Sequence, residues 1–150
     1  MPLTGNLKIP LPTCSPRAVP CLKRTILVAE DSADSREMLQ VLLEMKGYAV
    51  VSASDGYHAV EVAVQNIPDL ILIDLELPGL DGMSVTKALR LHPDFRAVPI
   101  IIISGHDPAK YRIAALNAGC DEYLLKPIDF DRLNQILHER IPAAVRARSA

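Results

Sequence analysis

A chain of 150 residues with 49% hydrophobic content suits one compact domain with a buried core. Its net charge of −2, its 4% aromatic share and its lack of Trp argue against a nucleic-acid grip, a basic membrane patch or a base-stacking surface. Cys14, Cys21 and Cys120 stand in no CxxC or His–Cys spacing, so neither a zinc site nor a disulfide scaffold is expected.

Reduced thiols in a cytoplasmic protein are the simplest reading of those cysteines. No apolar run approaches the roughly 18 residues of a membrane span, and the N-terminus has no apolar core of a secretory signal. Residues 1–23 carry five of the 12 prolines (Pro2, Pro10, Pro12, Pro16, Pro20). They show no sustained period, as expected of a flexible tail.

From Lys23 the pattern changes. Thr25-Ile26-Leu27-Val28-Ala29 reads as a short buried strand ending in Glu30-Asp31. Ser32 to Asp34 offer capping oxygens to a helix carrying Met38, Leu39, Leu42, Leu43 and Met45, closed by Gly47. Ala49 to Ala53 form a second strand. Asp55-Gly56 opens a helix with Ala59, Val60, Ala63, Val64 and Ile67 as its apolar stripe, stopped by Pro68.

Leu70-Ile71-Leu72-Ile73 is apolar on both faces, which predicts a central strand, and Asp74 follows at its exit. The turn Glu76-Leu77-Pro78-Gly79-Leu80-Asp81-Gly82 leads to a helix over about Ser84 to His92, with Val85, Ala88 and Leu89 inward. Pro93 and Pro99 bracket the return. Ile100 to Ile103 form a β-branched strand ending in Ser104-Gly105. A helix over Pro108 to Ala118, closed by Gly119, precedes a strand Glu122 to Leu125 that ends in Lys126-Pro127. Asp129 caps a last helix through Leu133, Ile136 and Leu137 to about Ile141. Residues 142–150 are expected to fray, leaving one domain over 24–141.

Five alternations of short strand and longer helix predict a parallel α/β sheet with helices on both faces and right-handed crossovers. The strands then share one rim, where Glu30-Asp31, Asp74, Ser104 and Lys126 converge. Carboxylates about 4 Å apart repel by roughly 4 kcal/mol per pair at an effective dielectric near 20. Protons or a hard divalent cation relieve this. An oxygen-only donor set without His or Cys points to Mg²⁺ or Mn²⁺. A cation beside Asp74, Lys126 and Ser104 suits a phosphoryl group, with Asp74 as the nucleophile.

On these residues the chain from about Arg24 to Ile141 resembles a response-regulator receiver domain of two-component phosphosignalling. The resemblance rests on Glu30-Asp31, Asp74 within DLELPGLDG, Ser104, and Lys126-Pro127, each after a strand of matching rank. It implies a flavodoxin-like, doubly wound five-stranded sheet in order 2-1-3-4-5. It implies Mg²⁺ held by Asp31, Asp74 and the backbone carbonyl of Glu76, with Glu30 acting through water. A histidine kinase or phosphotransfer protein would donate the phosphoryl group. Tyr123 stands at the family's switch-aromatic position and Lys126-Pro127 at its cis peptide bond. The output face would be the fourth helix, fifth strand and fifth helix, offering Lys110, Ile113, Asn117 and Tyr123 to a downstream protein.

Ser104 stands where Thr is commoner and Gly105 where Ala is frequent. The resemblance also places Glu76 and His106 at the family's two variable positions flanking the phosphoryl site. The sequence leads to a stand-alone receiver, monomeric or weakly dimeric, without turnover of external substrates. Two alternatives stay open: a small Mg²⁺-dependent phosphohydrolase using Asp74, and an interaction module independent of phosphorylation. Cys120 is expected to fill a small pocket and His106 to lie solvated in a loop.

Overall fold

The structure, a computed structural model, describes residues 23–141. The expected tails, with Cys14 and Cys21, lie outside the described residues. Within them Arg24–Ile141 form one compact unit.

The elements alternate as β1 (Thr25–Ala29), α1 (Ala33–Met45), β2 (Ala49–Ala53), α2 (Gly56–Asn66), β3 (Leu70–Asp74), α3 (Gly82–Arg90), β4 (Ile100–Ser104), α4 (Pro108–Ala118), β5 (Glu122–Leu125) and α5 (Phe130–Arg140). All pairings are parallel, in order β2-β1-β3-β4-β5. The doubly wound fold expected from the sequence is the one found. β3 and β4 are buried along their whole length, as strands covered on both faces must be.

The period-2 alternation of a strand divides the core between two layers. Leu27, Ala29, Ile71, Ile73, Ile100, Ile102 and Tyr123 face one side, with Ala59 and Ala63 of α2, Val85 and Leu89 of α3, and Ala115 of α4. Ile26, Val28, Leu70, Leu72, Ile101, Ile103 and Leu124 face the other, with Leu39 and Leu43 of α1 and Leu133, Ile136 and Leu137 of α5. Each fully buried Leu or Ile contributes about 1.5–3 kcal/mol.

Caps fix the helix starts. Ser32, Asp55, Asp81, Asp107 and Asp129 each accept a backbone N–H from the first turn of the helix they precede. Gly119 ends α4 at φ +115° and Gly47 follows α1 at φ +98°, conformations that a Cβ penalises.

Several helix faces differ from expectation. On α1, Leu39 and Leu43 are buried, but Met38 is 48% and Met45 82% exposed. On α2, Val64 and Ile67 are exposed; Val62 is buried instead, and Ile67 is the left-handed cap (φ 44°) before Pro68. α3 begins at Gly82 and ends at Arg90, two residues earlier at each end than expected. Ala88 is exposed and Thr86 takes its place inside, its hydroxyl donating to the Gly82 carbonyl at 2.8 Å. A 3-10 turn, Pro93–Phe95, follows and buries Phe95 completely.

Candidate functional site

Strands β1, β3, β4 and β5 leave the core at one rim. Glu30 directly follows β1, and its side chain is turned inward with 4% exposure. One Glu30 oxygen accepts the Ser32 N–H at 3.1 Å, which ties the carboxylate to the start of α1. Asp31 is exposed beside it. Asp74 ends β3 at 5% exposure. Its Oδ1 accepts the Glu76 N–H at 3.0 Å, and its Oδ2 accepts from Lys126 Nζ at 2.8 Å. Lys126 follows β5, joined to Pro127 by a cis peptide bond, and also reaches Glu30 Oε1 at 3.2 Å.

One oxygen each of Glu30, Asp31 and Asp74 lies within 4.8 Å of the others. Three carboxylates thus face one ammonium. Burial pushes the Glu30 carboxyl above the usual range, and the Asp74 charge adds to this, although the Ser32 N–H works the other way. Burial works against the charged form of Lys126. The hydrogen bond and charge of Asp74, with those of Glu30, outweigh it and raise Lys126 overall. The donors are all hard oxygens in a pocket with surplus negative charge, so the residues present fit a divalent cation such as Mg²⁺.

Ser104 ends β4 fully buried, and its Oγ accepts the His106 N–H at 2.9 Å. Tyr123 on β5 is turned inward at 9% exposure, and its hydroxyl donates to the His106 carbonyl at 3.1 Å. His106 lies in the loop after β4 with its side chain 39% exposed, as expected; its Nε2 meets Glu76 Oε2, and its ring lies 4.9 Å from that of Tyr111. Glu76 therefore points at the loop after β4. With Tyr123 buried, α4 exposes Lys110, Ile113, Leu116 and Asn117, and β5 adds Leu125 at 46% exposure.

Sequence reasoning missed two neighbours of this rim. Arg36, one turn into α1, donates to the Glu30 carbonyl at 2.7 Å and pins the loop after β1; the signal was a lone cation among Glu30, Asp31 and Asp34. A cavity of about 230 Å³ opens beside Glu30 and Lys126, lined mainly by Met38, Leu39, Pro127, Ile128 and Phe130. Its walls come from α1 and from the stretch after β5, which no single periodicity joins. Cys120 is buried among core residues, as expected.

The family model for the response regulator receiver domain matches residues 26–138. The chain belongs to the response-regulator receiver family. It is 38% identical over 108 residues to the response regulator MprA of Mycobacterium sp. (strain KMS), a match covering 72% of this chain and 46% of that protein. It is 36% identical over 125 residues to the transcriptional regulatory protein PrrA of Mycobacterium tuberculosis, covering 83% of this chain and 51% of the relative. The receiver chain thus spans about half the length of these curated relatives. Among solved structures it resembles the receiver domain of the sensor histidine kinase PA1611 of Pseudomonas aeruginosa PAO1. The TM-score is 0.74 at 35% identity, covering 80% of this chain and 98% of that one, and that structure has magnesium coordinated in its active-site cleft. The chemotaxis protein CheY4 of Vibrio cholerae matches with a TM-score of 0.74 at 25% identity, over 79% of this chain and 98% of that one. Receiver domains are modules of two-component signalling that interact with histidine kinases and output partners; they are not turnover enzymes. The phosphohydrolase alternative is accordingly not favoured.

Proposed function

We propose that this receiver carries signal as an acyl phosphate on Asp74, accepted from the phosphohistidine of a histidine kinase or phosphotransfer protein. The observation that carries the reading is the setting of the Asp74 carboxylate. It is buried, held between the Glu76 N–H and the Lys126 ammonium, and grouped with the carboxylates of Glu30 and Asp31. An Asp74 oxygen attacks phosphorus, the P–N bond breaks, and its electron pair leaves on the donor imidazole. Lys126 neutralises a phosphoryl oxygen and Ser104 O–H donates to another.

Asp31, Asp74 and the Glu76 carbonyl would hold Mg²⁺ (or Mn²⁺), with Glu30 acting through water. When bound, the cation supplies charge neutralisation for the phosphoryl oxygens. The added phosphoryl brings about two negative charges and three strong acceptors. It draws Ser104 toward itself and acts on the loop that the already inward Tyr123 holds through the His106 carbonyl, so that the Ser104/Tyr123 switch alters the face of α4, β5 and α5 read by a downstream protein. The receiver unit is assigned to residues 24–141, acting in the cytoplasm as a monomer or weak dimer. No helix among the described residues is long and apolar enough to cross a membrane.

Incubation with Mg²⁺ and a small acyl-phosphate donor, read by intact mass, tests the proposal. One added phosphoryl is expected, lost in Asp74→Asn. No modification, or modification indifferent to that substitution, would overturn the reading.

A further inference from the structure

The loop from Leu75 to Asp81 presents the Glu76 backbone to Asp74, so whatever seats this loop sets the geometry of the acceptor site. Its far end is held by Gly82, whose N–H donates to the Leu75 carbonyl at 2.8 Å. A Cβ on Gly82 would lie 2.6 Å from the Asp74 carbonyl oxygen. The middle of the loop rests on a different element, the first turn of α2. There the Gly56 N–H donates to the Pro78 carbonyl at 3.1 Å. A Cβ on Gly56 would lie 1.9 Å from the Leu80 carbonyl oxygen and 2.4 Å from Leu80 Cβ. The Tyr57 ring covers Gly79, which sits at φ +81° and whose added Cβ would lie 2.9 Å from that ring. Asp55 fixes this turn in place by accepting the His58 N–H at 2.7 Å.

We infer that Gly56 is a positioning residue of the acceptor site, the first turn of α2 being the seat that holds Pro78–Leu80 and thereby the Glu76 backbone against Asp74 and its cation. The inference rests on the reading of Asp74 as a Mg²⁺-assisted phosphoacceptor. The obstruction at Gly56 is backbone, which cannot rotate away as a flexible side chain can. Any side chain there lifts Leu80 off α2. The displacement passes along Gly79, Pro78 and Leu77 to Glu76, whose N–H bonds Asp74 Oδ1 at 3.0 Å. A residue that only packs would change stability and leave metal affinity alone; a positioning residue changes affinity in the folded protein.

The test is Mg²⁺ titration by calorimetry on the full chain, well below the unfolding temperature, with acyl-phosphate labelling alongside. Gly56→Ala is expected to raise the Mg²⁺ Kd about tenfold and to slow labelling of Asp74. Ile136→Val, which loosens the opposite face of the sheet, leaves the Kd unchanged. If Gly56→Ala does not fold, Tyr57→Ala removes an exposed ring from the same seat and is expected to weaken Mg²⁺ several-fold. A folded Gly56→Ala with the wild-type Kd overturns the inference, as does an unchanged Kd in Tyr57→Ala where that variant stands alone. In either case a labelled wild type leaves the phosphoacceptor reading standing. A wild type that neither binds Mg²⁺ nor accepts phosphoryl overturns that reading and the inference with it.

Discussion

Lys126 Nζ lies 2.8 Å from Asp74 Oδ2, while its second bond, at 3.2 Å, goes to Glu30 Oε1. One ammonium thus joins the exits of three strands. Its proton is held more firmly than that of a free lysine because the Asp74 and Glu30 bonds outweigh its burial. When phosphoryl arrives, the same ammonium can follow the charge outward from Asp74. Lys126→Ala should therefore still accept phosphoryl while losing the coupling from the acceptor to the Ser104 loop. A charge-assisted hydrogen bond is worth about 1.5–3 kcal/mol, so the phosphoryl-dependent population shift should shrink about tenfold or more. The near-UV dichroism of tyrosine before and after labelling checks this. An unchanged response removes Lys126 from the coupling.

Tyr123 makes a second link to that loop, through its hydroxyl on the His106 carbonyl. Tyr123→Phe keeps the buried ring and deletes only this bond, at a net cost of about 1 kcal/mol. The loop from Ser104 to Asp107 should then open about fivefold more often. Amide exchange of His106, whose N–H is held by Ser104 Oγ at 2.9 Å, measures it. Exchange equal to wild type would mean that the hydroxyl does not restrain the loop.

The rim of the sheet was legible because each strand breaks from apolar to polar at one residue. Glu30, Asp74, Ser104 and Lys126 mark those breaks, and parallel pairing then forces them together. The helix faces were less legible for the same physical reason in reverse. A helix such as α1 carries more apolar residues than its contact with the sheet can cover, so Met38 and Met45 stay exposed while Leu39 and Leu43 are buried. Periodicity finds the stripe but not its edge. Contacts that join backbone carbonyls to distant side chains leave no pattern at all. Gly56 against Leu80 is one case, and Arg90 is another.

Arg90 stands at the end of α3, where charge alone suggests a solvated cation. Its guanidinium instead donates to the carbonyls of Gly119 at 2.8 Å and Val98 at 2.7 Å, and to that of Phe95. It also meets Asp121 Oδ2 at 2.9 Å, the oxygen that accepts the Ile100 N–H at 2.8 Å. The side chain is 19% exposed, so water replaces only part of what is lost on substitution. Arg90→Met keeps much of the stem and orphans three carbonyls, and it should lower stability by about 3 kcal/mol. Urea unfolding reads the change. A loss below about 1 kcal/mol would show that solvent satisfies those carbonyls without the guanidinium.

Cys120 sits just beyond Gly119, at 6% exposure. Burial pushes its thiol up to about 11 from the ordinary 9.0; the neighbouring Asp121 charge adds to this, and Arg90 opposes it. The thiolate is the reactive form. In a Cys14→Ser/Cys21→Ser background, alkylation of the folded protein should climb about tenfold per pH unit through pH 10 without levelling. The same chain in urea should level off near pH 9. Stability follows the same proton. The folded thiol keeps it to higher pH than the unfolded one, so the unfolded state binds fewer protons between the ordinary value of 9.0 and about 11. Stability is unaffected by this group below that window and falls as pH rises through it. The stability of the Cys120 chain relative to Cys120→Ala should therefore drop on going from pH 8 to pH 11. A folded-state alkylation rate that plateaus near pH 9 would show a thiol in contact with water, contrary to its place among Ala115, Tyr123 and the other residues of that core layer.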